Sequence, residues 1–222
     1  MPSAALKPCL IAALRFHEIG TKSPYRLDFA SKGNSGATFG FMQGDLAVHD
    51  PEVNETFRKI LTATDGFTPA EINTLIGELS VHLVADPLSA AELAKVNAAL
   101  NAHQDLVNEM DQYLLTKVYT ALDACFAAAG PSGTTIDDAA ALMMAMWINM
   151  SGYPTKLLSW LKGGDPFPGA SVLAAAPEVS GDKMKRYLQA TAYYIANPQN
   201  LPHMEAAVAI GLAAKSSQSA AA

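Results

Sequence analysis

Glycine recurs in one short segment near the start of the chain, and this segment constrains the fold more than any other. Residues 33–45 read Gly-Asn-Ser-Gly-Ala-Thr-Phe-Gly-Phe-Met-Gln-Gly-Asp. Glycine lets a backbone turn sharply and is unfavourable inside a helix, so a helix is not expected to run through this segment. With the residues just before it, the segment predicts one small β-hairpin region near residues 25–43.

The rest of the chain carries helix signals. Alanine is common while Val and Ile are scarce over long stretches, which favours helices over strands. Asp50-Pro51, Thr68 and Ser89 have the pattern of helix starts. Apolar residues at spacings of four predict an amphipathic helix over 103–129, with one stripe formed by Leu106, Met110, Leu114, Val118 and Leu122.

Residues 136–150 are nearly all apolar and predict a helix buried on most sides. Further helices are expected over 5–18, 154–161, 182–196 and 202–215, with a loop-rich stretch over 163–177. No internal repeat or linker divides the chain. The fold class expected is therefore mainly α (α+β), with residues 1–222 forming a single domain.

Composition excludes some classes of protein. Half of the 222 residues are apolar and 16% are charged, as in a globular protein with a core. The net charge of −6 and the lack of a basic run argue against nucleic-acid binding. No apolar stretch has the length of a membrane span. The histidines stand singly and form no metal-ligand spacing with the cysteines, so no metal site is expected. No cofactor is expected either. Cys9 and Cys125 are interpreted as two buried free thiols, with a single disulfide as the alternative.

The residues best suited to catalysis or ligand binding lie at two places. Glu18 ends an apolar helix, where it is either a solvated surface residue or an acid held against apolar surface. Ser35, Thr38 and Gln43, in the glycine-rich segment, carry groups that can hydrogen-bond a sugar or position a water. A carboxyl group opposite such a polar segment suits a glycosidase, which needs an acid to protonate the leaving oxygen.

Other candidates have competing interpretations. Asp45 either lines a cleft or caps a helix that begins near Leu46. Asp28 either faces the acid or is a turn residue. Asn149 lies in the apolar helix and needs a partner, either backbone or substrate. The neighbouring Met and Trp residues are interpreted as core.

Four short motifs resemble goose-type lysozymes and soluble lytic transglycosylases of the lysozyme superfamily. They are Cys9-x-Ile-Ala-Ala followed by Glu18, Gly36-x-x-Phe-Gly-Phe-Met-Gln-x-Asp45, Trp147-Ile-Asn-Met-Ser-Gly152 and Ala190-x-Ala-Tyr-Tyr194. The resemblance implies a lysozyme-like fold with Glu18 as general acid. It also implies that Gln43 and Asp45 line the cleft, that Asn149 contacts an N-acetyl sugar and that Tyr194 belongs to the substrate site.

The chain also departs from the resemblance. Ile19 stands where many transglycosylases have Ser, and Asn34 stands where goose-type enzymes have an additional Asp. Asp28 is a candidate to compensate for that Asp. The segment between Glu18 and Phe39 is a few residues longer, and residues 64–130 are also longer than in the family.

The expected activity is cleavage of β-1,4 bonds in peptidoglycan, by hydrolysis or by transglycosylation. Two alternatives stay open: a chitosanase or chitinase, and an inactive lysozyme-like binding protein. The substrate partner expected is an amino-sugar polysaccharide, and the oligomeric state is not predicted. Because Lys7-Pro8 interrupts the N-terminal pattern, no signal peptide is expected. We therefore expect a protein made soluble in the cytoplasm that acts at the cell wall or outside the cell after export or lysis.

Overall fold

The computed structural model is mostly helical, with a small three-stranded antiparallel sheet. It describes residues 6–20, 22–29, 35–83, 86–136, 138–151 and 155–162. The helices over these ranges are α1 Leu6–Ile19, α2 Pro51–Ala63, α3 Pro69–Leu79, α4 Ala90–Ala102, α5 Gln104–Ala129, α6 Asp138–Ser151 and α7 Thr155–Leu161. The expected mainly α (α+β) fold class is confirmed.

The chain divides into two compact units. The first comprises residues 1–20 and 116–222, and the second comprises residues 21–115. The single-domain assignment for residues 1–222 stays a prediction. The helices expected over 182–196 and 202–215, and the loop expected over 163–177, lie outside the described residues.

The second unit contains the sheet. Strands β1 Asp28–Phe29, β2 Ala37–Phe39 and β3 Gly44–Asp45 are short and pair in the order β1-β2-β3. The expected β region is therefore present and has a third strand. Gly40, at φ +79°, makes the turn after β2, a backbone conformation that glycine adopts without a steric penalty.

Helices α2, α3 and α4 begin where the sequence predicts. Asp50 caps α2, and both Thr68 and Ser89 form complete capping boxes with the glutamate three residues later. These helices and the sheet share one apolar core. In it the rings of Phe39 and Phe57 lie 5.5 Å apart between centroids.

The first unit is built on the packing of α1 against α6. Leu10 and Leu14 of α1 are fully buried. Every side chain from Ala140 to Ile148 is buried too, so the prediction of a helix buried on most sides is confirmed. The loop after α5 is fixed by Ser132, whose hydroxyl hydrogen-bonds the carbonyl of Leu161 at 2.8 Å.

Helix α5 differs from its prediction in detail. Met110, Val118 and Leu122 are buried, but Leu106 and Leu114 are only half-buried. The other buried positions include Val107, Leu115 and Cys125. A step of four residues turns a helix by about 40° more than one full turn. A strict spacing of four therefore drifts around the helix and does not stay on one buried face.

Candidate active site

Glu18 and Asn149 meet within the first unit. Glu18 lies in the last turn of α1 and Asn149 in the last turn of α6. The Nδ2 group of Asn149 donates a hydrogen bond to Glu18 Oε1 at 2.8 Å, and both residues are half-buried. Of the two interpretations of Glu18, a freely solvated surface residue does not fit this contact. Asn149 thus has a partner, as an amide in an apolar helix requires, but this partner is the carboxyl group of Glu18, which was neither of the two partners expected.

This pair can accommodate both protonation states of the acid. The observed hydrogen bond, from the amide N–H group to Glu18 Oε1, is one that an ionised carboxylate can accept. With the amide turned over, its carbonyl oxygen can accept from the protonated carboxyl group, because a side-chain amide carries both a donor and an acceptor. A group that must give up and regain a proton can use such a partner in both states.

Three predicted site residues form a row across the sheet of the second unit. Thr38 is paired with Asp28 on one side and with Asp45 on the other. Directly opposed residues of antiparallel strands project from the same face. The sheet thus places Asp28, Thr38 and Asp45 at neighbouring positions of one face.

Gln43 is joined to this row through its side chain. The hydroxyl of Thr38 donates to Gln43 Oε1 at 2.7 Å, and Gln43 Nε2 donates to the carbonyl of Gly40 at 3.1 Å. Both ends of the amide are therefore held by the protein. Gln43 has φ +54°, a left-handed conformation that is uncommon for residues other than glycine and often marks functional sites.

The two aspartates of the row differ in what they contact. Asp45 Oδ1 accepts from the backbone N–H groups of Gly36 at 3.0 Å and Ala47 at 2.8 Å, so Asp45 caps the short 3-10 helix Leu46–Val48. Asp28 forms an ion pair with Lys22 through Oδ2, and its Oδ1 accepts from the N–H of Phe29 at 3.3 Å. The capping interpretation of Asp45 is confirmed, and its catalytic role stays a prediction.

Two further predicted residues contribute less to this picture. The carbonyl of Ser35 accepts from the N–H of Leu83 at 3.1 Å, which is a backbone contact. Tyr194 lies outside the described residues. The structure thus brings Glu18 to Asn149 in one unit, and Asp28, Thr38, Gln43 and Asp45 to one sheet in the other.

The glycines of the segment approach protein atoms closely. A Cβ atom on Gly36 would lie 2.6 Å from the carbonyl oxygen of Leu79, and one on Gly44 would lie 2.8 Å from Met110. At Gly36, where the close atom belongs to the backbone, glycine is needed for packing, whereas at Gly44 the end of the flexible Met110 side chain would have to shift. The packing of a tight hairpin is therefore sufficient to explain these glycines, and no ligand is needed to account for them.

Sequence reasoning missed Asp111. This carboxylate on α5 is 1% exposed and accepts hydrogen bonds from the backbone N–H groups of Phe41 and Met42, both at 2.9 Å. The available signal was its position, since it follows Met110 directly and stands four residues after Val107. Both of those residues are buried, so Asp111 lies at the buried side of the helix.

Two titratable groups in the described residues have a raised pKa, the buried thiol of Cys125 and the phenol of the half-buried Tyr119. Burial raises the pKa of Cys125 to about 12 and that of Tyr119 to about 12. Cys125 is a free thiol, so the alternative of a disulfide with Cys9 is not supported. Among the described residues, no three His, Cys, Asp or Glu side chains gather as a metal site would require.

Comparison with known proteins gave no match to a family model, a curated protein or a solved structure. Within the described ranges, none of the helices combines the length and apolarity that crossing a bilayer requires.

Proposed function

We propose that this protein is a glycosidase of the lysozyme type that cleaves β-1,4 bonds of peptidoglycan, with Glu18 as the general acid. The observation that carries the proposal is the hydrogen bond from Asn149 to the half-buried Glu18. It gives a carboxyl group at the end of an apolar helix a fixed orientation and a partner suited to proton transfer. The four motifs that resemble goose-type lysozymes and lytic transglycosylases include both residues.

In the proposed reaction, Glu18 protonates the bridging glycosidic oxygen as an oxocarbenium-like state develops on the sugar. The C–O bond to the leaving sugar then breaks, and the leaving group departs as an alcohol. Water or the sugar's own 6-hydroxyl forms the new bond to the anomeric carbon. Water gives a reducing end, whereas the 6-hydroxyl gives an anhydro product. The nucleophile's proton passes to a base, which for the anhydro product is Glu18 itself.

For the hydrolytic route, Asp45 is the better candidate to activate water. In the described part of the second unit, hydrogen bonds reach Asp45 Oδ1 and not Oδ2. Asp28, in contrast, has Lys22 on one oxygen and the N–H of Phe29 on the other. An oxygen without a donor can accept the proton of a water molecule. Thr38 and Gln43 would bind the sugar from the same sheet.

Charge favours a second candidate substrate. The chain has a net charge of −6, and peptidoglycan is polyanionic, so long-range electrostatics does not steer the two together. A cationic, deacetylated glycan such as chitosan would be attracted. A chitosanase with the same general acid is therefore the runner-up function.

The deciding experiment is digestion of purified peptidoglycan by the wild-type protein and by Glu18→Gln, with soluble products identified by mass spectrometry. Glu78→Gln is the matched control, because Glu78 is an exposed glutamate on α3. We expect muropeptides from the wild type and the control and none from Glu18→Gln. Reducing ends would indicate hydrolysis, and anhydro ends would indicate transglycosylation.

The same digestion on chitosan tests the runner-up. If only chitosan gives products, and Glu18→Gln again gives none, chitosan and not peptidoglycan is the substrate. If neither polymer gives a product, the enzymatic proposal is rejected, and the inactive lysozyme-like binding protein is the alternative that stands. A Glu18→Gln variant with undiminished activity would reject Glu18 as the acid.

A further inference from the structure

Asp111 is a buried carboxylate that faces the backbone of the turn leading to Gln43. Its two oxygens each accept one backbone N–H, Oδ2 from Phe41 and Oδ1 from Met42, both at 2.9 Å. Removing a carboxylate from water is costly unless hydrogen bonds compensate it. At 1% exposure, Asp111 is therefore stabilised by the turn's N–H groups, and it holds these groups in place in return.

The fit between the carboxylate and the turn is close. A Cβ atom on Gly40 would clash with Asp111 Oδ1, because it would lie nearer than real Cβ atoms come to other atoms. Gly40 also has φ +79°, which strains any residue with a side chain. The chain can pass over the carboxylate only with glycine at this position.

One peptide group connects Asp111 to Gln43. The carbonyl of Gly40 and the N–H of Phe41 belong to the same planar peptide unit and point in opposite directions. Asp111 binds the N–H side of this unit. The carbonyl side accepts from the backbone N–H of Gln43 at 3.3 Å and from its Nε2 at 3.1 Å. Fixing the plane from one side thus fixes the acceptor for Gln43 on the other.

The side chain of Gln43 then has one orientation. Its nitrogen is directed to Gly40 and its Oε1 accepts from the hydroxyl of Thr38 at 2.7 Å. If the Gly40–Phe41 peptide unit rotated, the acceptor for Nε2 would be lost and the amide would be free to reorient. We infer that Asp111 is a positioning residue that sets the orientation of the Gln43 side chain for the glycan; the glycan part of this inference rests on the proposed function.

The effect of Asp111 can be separated from general stabilisation with a double-mutant cycle. Activity is measured on soluble, uncross-linked peptidoglycan strands for Asp111→Ala, Gln43→Ala and the double variant, together with urea unfolding of each. Asp111→Asn, which keeps the shape and one acceptor oxygen, is the conservative variant. Glu109→Ala is the control, because Glu109 is exposed on the same helix.

A positioning role predicts a specific pattern. Asp111→Ala should lower kcat/KM by roughly 100-fold, as expected when a binding group is misplaced. In the Gln43→Ala background the same change should lower kcat/KM by less than about 2-fold, since there is no amide left to position. The loss of stability should be similar in both backgrounds. Asp111→Asn should fall between the wild type and Asp111→Ala, and Glu109→Ala should match the wild type.

A second measurement does not depend on catalysis. In the full-length protein, the ¹H–¹⁵N signals of the Gln43 side-chain amide should shift in Asp111→Asn and Asp111→Ala and not in Glu109→Ala. Unmoved signals, or an equal loss of activity with and without Gln43, would overturn the inference. If the wild type cleaves no glycan, the proposed function fails, and the Gln43 signals alone then decide whether Asp111 positions this side chain.

Discussion

Asn149 donates a 2.8 Å hydrogen bond to Glu18 across 131 residues of sequence. The contact exists because α1 packs against α6, which brings the last turns of the two helices to each other. The apolar faces of both helices therefore do more than form a core. They place a polar pair at a common end of the two helices, beside buried residues that include Leu14 of α1 and Ile148 of α6.

Replacing Asn149 by Ala should lower the glycosidase activity by about 100-fold, the size usual for losing one donor to a reacting group. The reason is that Glu18 loses the contact that orients it. Release of soluble muropeptides measures the activity, and thermal unfolding checks the fold. Asn101→Ala is the control, because Asn101 is an exposed amide on α4. If the two variants have equal activities, Asn149 has no role in the reaction and the prediction is wrong.

The helices and the β region were predictable from sequence because their signals are local. Asp50, Thr68 and Ser89 form their caps with residues two or three positions away, so the pattern and the contact lie in one short segment. The glycines of residues 33–45 indicated turns for the same reason. Glu18 and Asn149 were each singled out, but their contact depends on the packing of two distant helices.

Asp111 illustrates what local patterns do not reveal. An aspartate within an amphipathic helix is normally expected on the solvated face. Here it is buried because the N–H groups of Phe41 and Met42, some seventy residues earlier, satisfy its oxygens. The same holds for Gln43, whose φ of +54° depends on the turn around it. Both features follow from tertiary contacts that the sequence does not display.

The stability of α4 should depend on pH through its capping box. The hydroxyl and the backbone N–H of Ser89 hold the pKa of Glu92 below its ordinary value near 4.5. A carboxylate with a lowered pKa in the folded state stabilises the protein above the unfolded-state value, and this stabilisation is lost as pH falls through the folded-state value. Glu92→Gln should therefore flatten the pH dependence of urea unfolding below about pH 4.5. An unchanged slope in the variant would contradict the prediction.

Cys125 should be unreactive in the folded protein. Burial raises the pKa of its thiol to about 12, and the thiolate is the reactive form. Near pH 8 the folded state should react ~10³-fold more slowly with iodoacetamide than the unfolded chain. In a Cys9→Ser variant the adduct, read by mass spectrometry with and without urea, reports on Cys125 alone. Fast labelling without urea would show that the thiol is accessible.

Two glycine-to-alanine substitutions should change stability in opposite directions. At Gly36 a new Cβ would meet the carbonyl oxygens of Leu79 and Val81 at 2.6 and 2.9 Å. These are backbone atoms and cannot turn away, so overpacking should lower the free energy of unfolding by about 1–3 kcal/mol.

Gly77 lies inside α3 with nothing within 4 Å of a new Cβ. Gly77→Ala should therefore raise the free energy by about 1 kcal/mol through the higher helix propensity of alanine. Urea unfolding of both variants gives the comparison. A stable Gly36→Ala protein would mean that the backbone around residues 79–81 does not pack on the glycine-rich segment as described.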